Sequence, residues 1–271
     1  MVAMEIPAFR RVLLTGAAGR IGSALREGLR PGLDELRLSD REHVEPLTGT
    51  PETFVQADLI DPAATRKAVD GVDAIVHLGG HPDEAPFEHL LGPNIQGTFN
   101  LFEAARRAGV TRVVYASSNH ATGFYETTDR LVGDEPSRPD SLYGVTKVFG
   151  EAIGRLYADK FQLQVIAVRI GSFEPRPSEP RHLSTWLSPE DAVRLFRACL
   201  SPVDVHFMVL YGVSANQRSW WPRSESTKLV GYEPQDDAEE FVGEIGEGSD
   251  AWQGGRFVSP DYGGWTAQDP P

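Results

Sequence analysis

Arg11-Val12-Leu13-Leu14-Thr15-Gly16-Ala17-Ala18-Gly19-Arg20-Ile21-Gly22 joins a short apolar run to a turn whose glycines fall three apart. Arg11 to Thr15 reads as a buried strand, and Ile21 to Leu29 carries apolar residues at helical spacing. A glycine turn between strand and helix answers a specific demand. One glycine makes the tight turn, another lets the backbone approach a pyrophosphate, and another lets helix and strand pack closely. The helix start then offers free N–H groups to the anion. Because strand, turn and helix follow in that order, the pattern reads as a dinucleotide-binding loop rather than a chance cluster of glycines.

The same alternation continues outward. Glu35 to Asp40, Thr53 to Asp58, Ala74 to Leu78, Val113 to Ala116 and Val165 to Ile170 read as strands. Pro62 to Val69, Asn94 to Ala108 and Ser141 to Phe161 read as helices between them. Short apolar strands separated by helices predict an α/β fold, a doubly wound parallel sheet covered on both faces, with ligands at the carboxyl ends of the strands. Beyond it, Glu174 to Pro180 is too rich in proline for a helix or a central strand. Pro189 to Leu200 reads as a helix and Phe207 to Tyr211 as a strand, and Gly243 to Pro271 is expected to loop over the surface. The expected division is a nucleotide-binding domain over 1–171, the Rossmann fold, and a small carboxyl-terminal substrate lobe over 172–271 interleaved with it.

Composition narrows the partners. The chain has 271 residues, 40% hydrophobic and 24% charged, enough for a sizeable core. Its formal net charge of −13 argues against nucleic acid, whose phosphates call for a basic face. Cys199 is the single cysteine, which excludes an intrachain disulfide framework. Met1 to Leu14 lacks the apolar core of a signal peptide, and no stretch has the length of a membrane span, so a cytoplasmic protein is expected. The seven histidines lie scattered, without paired metal-ligand spacing, and no metal is expected.

Two constellations carry chemistry. Asp40 ends the strand after the glycine loop, where a carboxylate accepts from ribose hydroxyls and repels a 2′-phosphate, which favours NAD over NADP. Arg41 beside it would instead welcome that phosphate. Tyr143 and Lys147 stand four apart at the start of a long helix, on one face. A lysine cation one turn away, with the positive ring of an oxidised nicotinamide, would make the phenol a usable general base. Ser118 follows the fifth strand and can hold the substrate oxygen beside Tyr143.

The glycine loop, Ala116-Ser117-Ser118 and Tyr143-Gly144-Val145-Thr146-Lys147 together resemble the extended short-chain dehydrogenase/reductase superfamily. That resemblance implies an NAD site lined by Gly16, Gly19, Arg20, Ile21, Asp40, Asp58, Leu59, Leu78, Gly79, Tyr143, Lys147 and Ile170. It implies an active-site asparagine at Asn94, and a homo-oligomer, because the long helices of such enzymes commonly pair between subunits. Ser117-Ser118-Asn119-His120, Arg169-Ile170-Gly171-Ser172, Arg181 to Trp186 and Gly212 to Asn216 are similar to the uronate dehydrogenase family. That likeness implies NAD-dependent oxidation of the C1 hemiacetal of D-glucuronate or D-galacturonate to an aldarolactone. It gives Ser118, Asn119, His120, Tyr143, Ser172 and Arg181 to the substrate. Arginine's planar fork suits a sugar carboxylate. The chain departs at His81-Pro82, where that family carries a small hydroxyl residue. A nucleotide-sugar epimerase or dehydratase is the competing reading, opposed by the short chain after the sixth strand. A non-catalytic NAD sensor is another, and it has no use for Ser118, Tyr143 and Lys147 together.

Overall fold

In the computed structural model, which describes residues 9–248 and 250–264, β1 (Arg11–Thr15) is the first strand beside which the sheet is laid. The elements follow as α1 (Arg20–Leu29), β2 (Glu35–Asp40), β3 (Glu52–Gln56), α2 (Pro62–Val69), β4 (Ala74–His77) and α3 (Phe87–Leu90). A π-helical turn, Leu91–Gln96, leads into α4 (Gly97–Ala108), β5 (Arg112–Ser118), the 3-10 turn Asn119–Thr122, α5 (Leu142–Phe161) and β6 (Gln164–Ile170). Then come β7 (Ser172–Phe173), α6 (His182–Thr185), β8 (Trp186–Leu187), α7 (Pro189–Cys199), β9 (Phe207–Gly212), α8 (Glu225–Val230) and α9 (Val242–Ile245).

Seven parallel strands run in the order β3-β2-β1-β4-β5-β6-β9. The order reverses direction between β1 and β4, the switch point at which open α/β sheets bind ligands. Alternating strand residues divide between two cores. Val12, Leu14, Leu36, Leu38, Val76, Val114 and Ile166 face α1 and α7. Leu13, Ile75, Val113, Tyr115 and Val165 face α2, α4 and α5. Both faces are dry, as a fully covered parallel sheet requires. The chain after Gly171 returns to this sheet as β9 and to its face as α7.

The strand and helix expectations hold closely, with local differences. β3 ends at Gln56: the Ala57 amide makes the last bond to β2, at the Asp40 carbonyl (3.0 Å), and Asp58 then opens a turn in which its carbonyl accepts from Asp61 N (3.0 Å). The helix expected from Asn94 is π-helical up to Gln96, around Pro93, which has no N–H to give to an α ladder. The carboxyl-terminal expectation needs correction. Residues 250–262 do not simply loop over the surface. Gln253 is fully buried, tied through its side chain to the Glu126 and Asp129 carbonyls and to Trp221 Nε1.

Arg112, wholly buried at the start of β5, fastens the far end of the sheet. Its guanidinium donates to Gln164 Oε1 and to the carbonyls of Cys199 (3.0 Å), Ser201 (2.7 Å) and Val203, the turn that follows α7. Arg112→Met keeps the bulk and orphans those acceptors. It should cost about 3 kcal/mol, read as a lower denaturant midpoint.

Candidate active site

The glycine loop is built for close approach. Gly16 has φ +68°, and a Cβ there would stand 2.8 Å from the Leu78 carbonyl carbon and 2.9 Å from the Gly79 amide. A Cβ on Gly22 would sit 2.2 Å from Gly16 O. The turn is closed by Gly19 N–H donating to Gly16 O (3.0 Å). α1 starts at Arg20 with Gly19 as N-cap and no side chain capping it, so its first amides lie open to an anion. This cradle fits a dinucleotide pyrophosphate. Asp40 ends β2 beside it, accepting from Ala18 N (3.0 Å) and Glu42 N (3.1 Å). Arg41 is largely exposed, 3.9 Å from Glu42. Arg20 reaches the Phe173 carbonyl and Glu174 (2.9 Å).

The other expected cofactor residues lie along the same edge. Asp58 accepts from Ile60 N (3.0 Å), and Leu59 packs against Gly79. Gly79 N donates to Thr15 Oγ1 (3.2 Å), which also bonds His77 Nδ1 (2.8 Å). Ile21 lies partly buried against the core, and Ile170 ends β6. Asn94 is fully engaged elsewhere. Its Oδ1 accepts from His81 N (2.6 Å), and its Nδ2 donates to His81 O (3.1 Å) and Thr146 Oγ1 (3.0 Å). It braces the loop after β4 against α5.

The first turn of α5 is held by two side chains. Ser141 caps Gly144 N (3.0 Å), and the Glu84 carboxylate accepts from Leu142 N (3.1 Å) and Tyr143 N (2.7 Å). Lys147, one turn on, is buried and donates to the Ala116 carbonyl (2.9 Å), with its ammonium 5.3 Å from the centre of the Tyr143 ring. Burial alone lowers the Lys147 pKa to about 8. Burial raises that of Tyr143. A hydrogen bond with Ser118 opposes that rise, and Asp83 and Asp140 reinforce it. In the free chain the phenol is therefore protonated at neutral pH, and the lysine alone does not make it a base. Ser118 Oγ also accepts from His120 N (3.2 Å).

Across from Tyr143 lies a polar wall. With its amide oxygen toward Arg181, Asn119 accepts from the guanidinium (2.8 Å) and donates to Ile170 O (3.0 Å). Arg181 further donates to Ser172 Oγ (3.0 Å) and to Gln253 O through Nε (3.2 Å) and Nη2 (2.6 Å). Every one of these acceptors is neutral. Glu179, Asp250 and Asp140 act on the guanidinium from beyond hydrogen-bond range, and burial dominates, lowering its pKa. Arg169 shows the contrast: buried at the end of β6, it forms a two-point ion pair with Glu151 (2.9 Å each) and has no charge left to offer. Ser172 Oγ also bonds Thr185 Oγ1 (2.8 Å).

Sequence reading named Ser118, Asn119, His120, Tyr143, Lys147, Ser172 and Arg181, and the fold brings them together. It missed Glu84, Asp140, Gln253 and Phe257. Phe257 stacks on His120 with ring centres 3.7 Å apart, and Tyr262 OH donates to Asp83 (3.0 Å), so residues 250–262 roof the site. His81, where the departure from the hydroxyl pattern falls, serves through its backbone to Asn94.

The buried ammonium gives a pH signature. An unfolded lysine titrates near 10.5 and this one near 8, so below pH 8 both states are charged and the cost of burial is fully present. As pH rises from 8 toward 10.5 the folded state alone sheds its proton, and that cost fades. Lys147→Met should therefore be more stable than wild type at pH 7, by a margin that shrinks at pH 8.5 and again at pH 9.5 in denaturant titrations.

Known proteins resemble this chain over most of its length. Residues 12–188 match the NAD dependent epimerase/dehydratase family. The chain is 44% identical to uronate dehydrogenase of Pseudomonas syringae pv. tomato, over 93% of this chain and 94% of that one. It is 40% identical to NAD-dependent glucose-6-phosphate dehydrogenase of Haloferax volcanii, over 85% and 95% of the two chains. The solved structure of a uronate dehydrogenase mutant from Agrobacterium tumefaciens, complexed with NAD, superposes with a TM-score of 0.85 at 45% identity, covering 92% of this chain and 97% of that one. The likeness thus runs across nearly the whole length of a chain built on a seven-stranded parallel sheet, with a glycine cradle at its switch point and a tyrosine–lysine helix: this chain belongs to the NAD dependent epimerase/dehydratase family.

Proposed function

We propose that this chain is an NAD-dependent dehydrogenase that oxidises the C1 hemiacetal of D-glucuronate or D-galacturonate to an aldarolactone. The observation that carries the reading is Arg181. Its guanidinium is held in the same site as Ser118, Tyr143 and Lys147, and among the described residues its hydrogen-bond acceptors are all neutral. A partly buried cation with no ion-pair partner among the described residues is costly, and a substrate carboxylate would relieve that cost. The relatives named for uronates support the same choice.

NAD, when bound, supplies the hydride acceptor at C1 and a positive ring beside the phenol. The glycine loop and Asp40 would hold its pyrophosphate and adenosine ribose, with Arg20, Ile21, Asp58, Leu59, Leu78, Gly79 and Ile170 along the same edge. Asp40 favours NAD over a 2′-phosphorylated cofactor. Tyr143 takes the proton of the C1 hydroxyl while Ser118 steadies that oxygen. Burial raises the Tyr143 pKa in the free chain, and further positive charge beside the phenol would lower it toward that of a usable base. Lys147 contributes its own cation and would hold the cofactor ribose. Arg181 anchors the distant carboxylate and orients the ring, with Asn119, His120 and Ser172 bonding sugar hydroxyls. Phe257 covers His120 on one side of the site, which favours a compact sugar over a nucleotide-sugar.

NADH absorbance distinguishes the possibilities. NAD should be reduced with both uronates and little with glucose or galactose, and NADP should be a poor substitute. Faster turnover of a sugar 6-phosphate would reassign the Arg181 fork to phosphate. Activity confined to nucleotide-sugars would sink the proposal.

Two substitutions test the roles. Tyr143→Phe should cut turnover by at least about a thousandfold and leave NAD affinity within about twofold. Arg181→Ala should raise the uronate KM by about a hundredfold, since a charged hydrogen-bonded partner is worth ~2–3 kcal/mol. An unchanged KM would remove Arg181 from the substrate site.

A further inference from the structure

His120 is gripped on several sides. Its Nδ1 meets Asp140 Oδ2 at 2.8 Å, its face stacks on Phe257, and the Tyr143 ring lies 6.0 Å away edge-on. The Asp140 side chain is completely buried and its other oxygen accepts from Ser141 Oγ (2.8 Å). The surroundings are shaped for it: a Cβ on Gly123 or Gly254 would stand 1.7 or 2.1 Å from Asp140 Oδ2. Among the described residues, nothing bonds the other ring nitrogen of His120, and the side chain keeps 11% of its surface exposed.

We propose that Asp140 is a positioning residue that holds His120 with Nδ1 protonated, so that Nε2 meets the substrate as a hydrogen-bond acceptor. A carboxylate on one imidazole nitrogen fixes the tautomer and the ring orientation together. Ser141 already donates to the Asp140 oxygen on the far side, so the oxygen toward His120 is left to accept. The imidazole stays neutral because burial outweighs the attraction of Asp140 and Asp83, and Arg181 nearby also disfavours a second proton. A neutral acceptor selects a donor. The site therefore takes a sugar that presents a hydroxyl hydrogen at this point, and it bonds poorly to one whose oxygen there is capped or missing. The selectivity rests on the uronate reading, whereas the tautomer does not.

Ring-nitrogen NMR of 15N-labelled full-length protein at neutral pH, with His120→Gln to assign the signal, reads the tautomer directly. The wild type should show Nδ1 protonated and Nε2 bare. A wild-type spectrum with Nε2 protonated overturns the proposal whether or not uronates are turned over. Asp140→Ala should mix the tautomers and raise the uronate KM at least about tenfold, with NAD affinity within about twofold. Asp140→Asn can keep its amide oxygen toward His120 by giving its amide to Ser141, and should stay close to wild type in both. An Asp140→Ala protein with the wild-type tautomer and KM would refute the role. Should that variant fail to fold, the wild-type spectrum still decides.

Discussion

The site depends on how the first turn of α5 is capped. A twenty-residue helix leaves its leading amides without intrahelical acceptors, and burying that end beside a sheet demands partners for them. Ser141 and Glu84 supply those partners from two separate segments. Glu84 belongs to the loop after β4, which Asn94 ties to Thr146 of the same helix. The constraint that satisfies the backbone therefore also fixes where Tyr143 and Lys147 stand relative to the ends of β4 and β5. The negative carboxylate at the helix start is also the sign the helix dipole favours.

Electrostatics then separate two arginines that sequence places only a dozen residues apart. Arg169 points from a sheet strand onto Glu151 of α5 and is neutralised internally. Arg181 follows a proline-rich segment that cannot fold into a ladder, so it lies at the site mouth among amide, hydroxyl and carbonyl oxygens. Neutral acceptors orient a guanidinium without cancelling its charge. The Lys147 ammonium is treated likewise, with one carbonyl and two aromatic faces around it.

Much of the fold was legible because the strands are short apolar runs and the helices between them carry capping signals at their ends. Pro62 after Asp61 and Leu142 after Ser141 begin helices where the sequence places them. The carboxyl-terminal half was harder to read where the chain turns repeatedly. Gln253 and Phe257 sit in a stretch of glycine and polar residues with no periodicity, and their burial comes from partners more than a hundred residues away. Glu84 and Asp140 gave no local signal either, since a carboxylate in a loop looks solvent-exposed until its acceptor geometry is seen. The Tyr143–Lys147 spacing was visible, but the rise in the Tyr143 pKa was not, because it arises from burial by distant segments.

The roof over His120 has a consequence for how the protein comes into being. The seven-stranded sheet has all its strands once Gly212 has been made, yet the residues that cover the site, 250–262, follow some forty positions later. At ribosomal rates of ~5–20 residues per second, a nascent chain would hold a complete sheet for seconds before it could complete its site. Folding and competence are thus separated in time. The glycine cradle and the buried lysine can form early, while Arg181 lacks two of its hydrogen bonds until Gln253 arrives. The chain's chemistry is assembled last, by a segment that the sheet itself does not require.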